Sequence, residues 1–269
     1  NRMYDIVKKW EWGNSESPKI YHDPETRKNS ISFRGNLHRL AEEFIKAGDY
    51  KKAMEIIELN FEKMPIDYFE YYSLSEPYIN SYYKIGEIEK AQKLYKKLEK
   101  KYLDQIKYYS ISIRDNEDIF PLSDFAENIF TYTERYRGLI ENEILLSNYL
   151  FASKSIEYFI NYTEIFKNIY GEYDYYIFMI NFVEPLYISG NATEGRKLYQ
   201  NISNEIKSRL STLIEAKEDS NSLYLYELFE DELNSANSLL AIIKSYEEDG
   251  FYDSEIAELD NINHNFLSK

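Results

Sequence analysis

Cysteine is absent from the 269-residue chain. That excludes disulfides and thiolate metal sites and by itself names no compartment. Glycine and proline are scarce, with 9 and 6 residues. A many-turned β fold needs more of both, so long helices are expected. Histidine occurs at three distant positions, His22, His38 and His264, without the spacing of a metal-binding motif. There is no glycine-rich phosphate loop and no GxSxG nucleophile motif. Long hydrophobic runs are also missing. The most apolar stretch, YIFMINFV at 176–183, has eight residues, whereas a membrane-spanning helix needs about 20. No signal peptide is visible. The chain opens NRMYD, without an initiator Met, as expected of an excised fragment or a processed product.

What is abundant is aromatic and acidic. Aromatics make up 17% of the chain, with 28 Tyr and 15 Phe, too much large apolar surface for a disordered polymer. The length suffices for one large domain or a repeat array. The net charge is −15, unevenly placed. From Glu215 to Asp260 there are fourteen acids against two bases, whereas residues 1–48 hold nine bases and seven acids. The acidic end should repel nucleic acid and anionic lipid, and its carboxylates read as solvated helix faces.

Two stretches share a layout, KAGDYKKAMEIIELNFEKMP (46–65) and KIGEIEKAQKLYKKLEKKYL (84–103). Around Gly48, the residues Leu40, Ala41 and Phe44 fall on one helical face before the glycine. Ala53, Ile56, Ile57 and Phe61 continue an apolar stripe after it, and Pro65 stops the second helix. Gly48 itself can close the first helix in a left-handed conformation. Around Gly86 the equivalents are Tyr78, Ile79 and Tyr82, then Ala91 and Tyr95, but Leu103 replaces the proline, so that helix is expected to run on. A third copy surrounds Gly190, with Phe182, Val183 and Leu186 before it and Gly195 and Tyr199 after.

This pattern resembles the tetratricopeptide repeat, a helix–turn–helix unit of roughly 34 residues. The resemblance implies an all-α fold, a right-handed superhelical solenoid of antiparallel helix pairs. Clear repeats are expected near 33–66, 70–104 and 175–210, and degenerate helices at 121–170 and 221–267. Within 125–170, two long helices are expected, the second from about Asn142. Gly250 and Asp253 mark a stop and a start near the C-terminus. Residues 1–30, with Pro18, Pro24 and the tryptophans Trp10 and Trp12 in WEWGN, read as an irregular arm packed on the first repeat. An exposed aromatic ligand platform is the alternative. Residues 31–269 read as one helical-repeat domain.

The concave groove of such a scaffold is expected to present His38, Glu42 and Lys46, then Glu76, Asn80, Tyr83 and Lys84, then Glu184 and Tyr187. Asn80 and Lys84 suit a clamp for a peptide carboxylate, which Glu42, Glu76 and Glu184 would oppose. A tyrosine-lined polar groove for a protein or glycan partner fits the residue types better.

The start of the chain looks like more than a generic repeat. RMYD (2–5), WGN (12–14), YHDPETR (21–27), FRGNLHRLAE (33–42), YYKIGEIEKAQKLYKKL (82–98) and LSNYLFASKSIEYFI (146–160) are similar to the C-terminal region of a bacterial family of polytopic membrane proteins. That family resembles GT-C type protein O-mannosyltransferases. The resemblance covers roughly residues 1–165. It implies a periplasmic tail of an inner-membrane protein whose membrane part lies upstream, binding an acceptor polypeptide or a partner subunit. None of the family's catalytic motifs falls in this stretch, so no catalytic residue, cofactor or metal is expected in the chain. A free-standing adaptor with a peptide groove, in the cytoplasm, is the second reading, and an enzyme with its site inside a helical toroid the third.

Overall fold

The computed structural model describes residues 2–115, 122–163, 175–176 and 179–219. The chain divides into two compact units, Asn1–Asp115 and Asn116–Lys269, so the helical stretch expected over 31–269 falls across both. The first unit contains α1 (Arg2–Val7), α2 (Pro24–Lys46), α3 (Tyr50–Lys63), α4 (Ile66–Phe69), a 3₁₀ turn (Tyr72–Ser75), α5 (Pro77–Lys84) and α6 (Ile88–Asp115). The second contains α7 (Leu122–Leu145), α8 (Tyr149–Thr163), α9 (Val183–Ile188) and α10 (Ala192–Asp219). Among the described residues the fold is all-α, with no strand. The expected C-terminal helices at 221–267, with Gly250 and Asp253, lie outside the described residues.

Consecutive long helices pack as hairpins, α2 on α3, α5 on α6, α7 on α8 and α9 on α10. In the first unit α2 also packs on α5, and in the second α8 packs on α9. The buried stripe of α2 is Ser30, Arg34, Leu37, Ala41 and Phe44; that of α3 is Ala53, Ile56, Ile57 and Asn60. In the next hairpin Tyr78, Ile79 and Tyr82 face Ala91, Leu94, Tyr95 and Leu98. Ala53 and Ala91 are both 0% exposed, and their small side chains let the helix backbones approach closely.

Each hairpin turns at a left-handed residue. Gly48 has φ +74°, Gly86 +83° and Gly190 +91°. At the first corner the Asp49 N–H donates to the Phe44 carbonyl (2.9 Å) and the Gly48 N–H to Ile45 (3.0 Å). At the second, Glu87 donates to Tyr82 (2.9 Å) and Gly86 to Tyr83 (3.0 Å). This paired closure satisfies carbonyls that a helix end leaves without partners. The same closure recurs where no glycine stands. Ser147 has φ +59°, Asn148 donates to Glu143 (2.9 Å) and Ser147 to Ile144 (2.9 Å). The α7–α8 corner therefore lies at 146–148, and α8 begins at Tyr149 rather than near Asn142. Sequence periodicity alone slid the boundary because the left-handed position carries a serine. As expected from Leu103, α6 continues for 28 residues, while α3 ends at Lys63 before Pro65.

Arg34 anchors the link between the first two hairpins. It is 0% exposed. One terminal nitrogen donates to the Met64 carbonyl at the end of α3 (2.7 Å). The other donates to Ser75 Oγ (2.8 Å) and the Glu70 carbonyl (3.3 Å). Glu70 and Tyr71 both have positive φ, +54° and +46°, so the guanidinium holds a backbone bend that two L-residues resist. Tyr78 in turn donates to the Arg34 carbonyl (2.8 Å). Burial pushes the Arg34 pKa down to about 10, still charged at neutral pH.

The N-terminal arm is irregular over 8–23 but not throughout. It opens with α1, whose Val7 is 1% exposed, and it ends at Asp23 because Pro24 is the first residue of α2. Proline fits that position, where its missing N–H would have no intrahelical partner. The Asp23 carboxylate caps the helix, accepting from the Glu25 and Thr26 N–H groups (2.9 and 3.0 Å). The arm returns onto the α2–α3 hairpin. The Tyr4 hydroxyl donates to Glu55, Lys8 pairs with Glu55 (2.7 Å), and Ser15 Oγ donates to the Lys63 carbonyl (2.5 Å).

Two stability measurements check these assignments. Gly48→Val is expected to cost about 1–2 kcal/mol in denaturant unfolding from the forced left-handed backbone alone, since a Cβ at Gly48 meets no atom within 4 Å, while Ser147→Gly gains up to about 1 kcal/mol. Arg34→Met leaves the Met64 carbonyl and Ser75 hydroxyl without their donor and is expected to cost about 2–4 kcal/mol.

Candidate functional site

Helices α2 and α5 meet along a polar seam. His38 and Glu42 sit one turn apart on α2; Ser81 and Lys84 sit three apart on α5. Ser81 Oγ donates to Glu42 Oε1 (2.6 Å) and Lys84 Nζ to Glu42 Oε2 (2.7 Å). His38 Nε2 lies 3.3 Å from Ser81 Oγ and 3.7 Å from Glu42 Oε1. The imidazole packs edge-on to the Tyr78 ring, 5.0 Å between centroids. Burial alone would raise the Glu42 carboxyl pKa. The hydrogen bonds from Lys84 and Ser81, with the Lys84 charge, outweigh it and hold Glu42 below its ordinary value. Burial pushes His38 below its ordinary value and Lys84 adds to that, against Glu42 and the Pro77 carbonyl.

A serine, a histidine and a carboxylate within bonding distance invite a nucleophile reading, and the geometry does not build one. Ser81 is 0% exposed and gives its proton directly to Glu42. Glu42 approaches the same ring nitrogen as the serine, whereas a charge-relay carboxylate orients the base through the opposite nitrogen. The cluster joins two helices and leaves part of His38 and Glu42 at the surface, with side-chain exposures of 24% and 17%.

The other expected groove residues divide. Asn80 and Tyr83 are half-buried on α5. Lys46 is exposed and pairs with Glu43 on its own helix (2.7 Å). Glu76, at the start of α5, accepts from the Tyr102 hydroxyl on α6. Glu184 and Tyr187 fall on α9 in the second unit, and their side chains lie outside the described residues. Lys84 pairs with Glu42 (2.7 Å) and keeps half of its side chain exposed. Sequence reasoning missed Ser81, the donor that ties the two helices, and Arg34. Arg34 sits on the stripe that holds Ser30, Leu37 and Ala41, so a charged residue in phase with an apolar face was the available signal.

A second surface feature lies at the arm. Trp10, Trp12 and Phe33 form a triangle of rings, with centroids 5.4–5.8 Å apart and planes inclined by 58–72°. The rings pin the arm to α2, and together with Met64 and Phe69 they line a cleft of about 440 Å³. Among the described residues no group of His, Asp or Glu is arranged to hold a metal ion, and no helix is long and apolar enough to cross a membrane.

The pKa directions fix a pH dependence. His38 binds a proton less readily folded than unfolded, so its contribution is intact above pH 6.5, the ordinary value, and is lost as pH falls below it. Glu42, held below 4.5 when folded, contributes fully above that pH and its share is lost lower still. His38→Gln is expected to flatten the loss of stability that begins below pH 6.5, as read by urea midpoints across pH; an unchanged slope would place the titration elsewhere. No protein-family model and no curated protein matches the sequence of this chain.

Proposed function

We propose that the chain is a non-catalytic helical-repeat interaction domain, of the tetratricopeptide-like superhelical kind, that binds a polypeptide partner on the α2–α5 face. The observation that carries this reading is the lateral packing of α2 against α5. The first helices of two successive hairpins stand side by side, and His38, Glu42, Asn80, Tyr83 and Lys84 share the resulting surface. A helical hairpin cannot cover its own apolar face, so stacked pairs produce an extended surface as a consequence of folding. The charges on that face are mutually compensated, Lys84 with Glu42. This suits a partner read by tyrosine contacts and hydrogen bonds rather than by net charge.

The parent protein in this reading is a membrane glycosyltransferase-like protein, with this chain as its periplasmic tail and an acceptor polypeptide, a glycan acceptor or a partner subunit as the bound species. The resemblance of residues 1–165 supports that part. Several upstream apolar spans of about 20 residues in the reading frame would agree with it, and a start codon close to Asn1 would leave the free-standing adaptor.

A photo-crosslinking side chain at Tyr83, in the intact protein in its native cells, is expected to capture a discrete polypeptide. The same side chain at Tyr108, which is 61% exposed on α6, should not. Tyr83→Ala is expected to lower capture by a crosslinker at Asn80 about tenfold, with a melting temperature within about 3 °C of the parent. Equal labelling from Tyr83 and Tyr108 would remove the face assignment.

A further inference from the structure

The arm's aromatic cleft has a definite electrostatic character. Its only ionised lining residue is Glu11, between Trp10 and Trp12. The bases around it are engaged elsewhere. Lys8 pairs with Glu55 (2.7 Å), Arg27 with Glu70 (2.8 Å), and Lys63 with Glu62 and Glu16 (2.8 and 3.1 Å). Arg34 donates to carbonyls and a hydroxyl. Lys9 is exposed and does not line the cleft. Glu11 has no partner of its own among the described residues. Glu11 is exposed and no cation lines the cleft with it, so the net charge of the lining is negative.

The hydroxyls of the lining sharpen the choice. Ser30 Oγ donates to the Arg27 carbonyl (2.6 Å), Thr26 Oγ1 to Asp23 (2.7 Å) and Ser15 Oγ to the Lys63 carbonyl (2.5 Å). Their protons point into the scaffold, so these groups can offer a ligand only lone pairs. Asn29 and the indole N–H groups remain as donors, and no base lines the cleft to hold an anion. A quaternary or fully methylated ammonium has no N–H to satisfy and is attracted to tilted indole and phenyl faces.

We propose that the cleft bounded by Trp10, Glu11, Trp12 and Phe33 is a binding site for a methylated ammonium cation. The rings provide cation–π walls and Glu11 provides the counter-charge. The site lies on the arm and α2, and it operates whether or not the α2–α5 face binds a polypeptide.

Both tryptophans of the chain are in this cleft, so intrinsic tryptophan fluorescence of the full chain reports on it directly. Titration with choline is expected to give a saturable change half-complete at or below about 10 mM. The neutral isostere 3,3-dimethylbutan-1-ol should bind at least about tenfold more weakly. Glu11→Gln, at an exposed position, should weaken choline at least about threefold with an unchanged circular-dichroism melt. Parallel titrations with Nα-acetyl-trimethyllysine amide and with phosphatidylcholine vesicles distinguish a free small molecule, a modified protein side chain and a lipid headgroup as the source. The proposal is overturned if choline gives no saturable change, if the neutral isostere binds as well, if Glu11→Gln is without effect on binding, or if methyl glucoside saturates the signal in choline's place.

Discussion

Arg34 is entirely enclosed, and a guanidinium in that position must find acceptors in the protein because water is excluded. It finds them at the end of α3, at the bend after α4 and on the 3₁₀ turn. Those three points lie along the segment that connects the first and second hairpins. The backbone there carries two consecutive residues with positive φ, a conformation that persists only when its surroundings over-determine it. The buried cation supplies that constraint without any carboxylate partner. Burial lowers its pKa to about 10, which leaves it protonated at neutral pH. The position of α5 against α2 follows, since Tyr78 bonds the Arg34 carbonyl and Ser81 bonds Glu42 on the same two helices.

In the proposed reading, the seam between α2 and α5 makes the recognition surface and the joint between helices out of the same residues. His38 and Glu42 are exposed enough to meet a partner and bonded enough to hold α5 in place. A residue of this kind gives ambiguous mutants, because losing it disturbs the joint as well as the face. The aromatic cleft is separate in its chemistry. It is made where the arm crosses α2, and its rings serve first as apolar anchors for the arm.

Much of the helical organisation was legible from the residues. Glycines 48, 86 and 190 mark corners because only glycine adopts the left-handed backbone without cost, and the small residues five places on mark the close crossing of the paired helices. The α7–α8 corner was not legible, because Ser147 occupies the left-handed position against that preference, and periodicity alone placed α8 seven residues early. The arm was read as irregular because its two prolines look like helix breakers. Pro24 is instead a helix starter, since the first turn has no intrahelical use for its missing N–H and Asp23 caps the turn. Of the candidate groove residues, His38, Glu42 and Lys84 meet at the α2–α5 seam, while Asn80 and Tyr83 are half-buried on α5. The ties of Lys46 to its own helix and of Glu76 to α6 depend on rotamers, which spacing does not specify.

The sequence by itself determined the class of secondary structure, the hairpin corners written with glycine and the lack of any cysteine chemistry, because these depend on local backbone preference and composition. Tertiary structure alone decided that a charged Arg34 belongs to the core, that Ser81 gives its proton to Glu42, and that Trp10, Trp12 and Phe33 converge on one cleft with an unpaired Glu11. Each of those joins residues between 21 and 41 positions apart or commits a side chain among several equally reachable partners. Only the packing of one helix against another makes that choice.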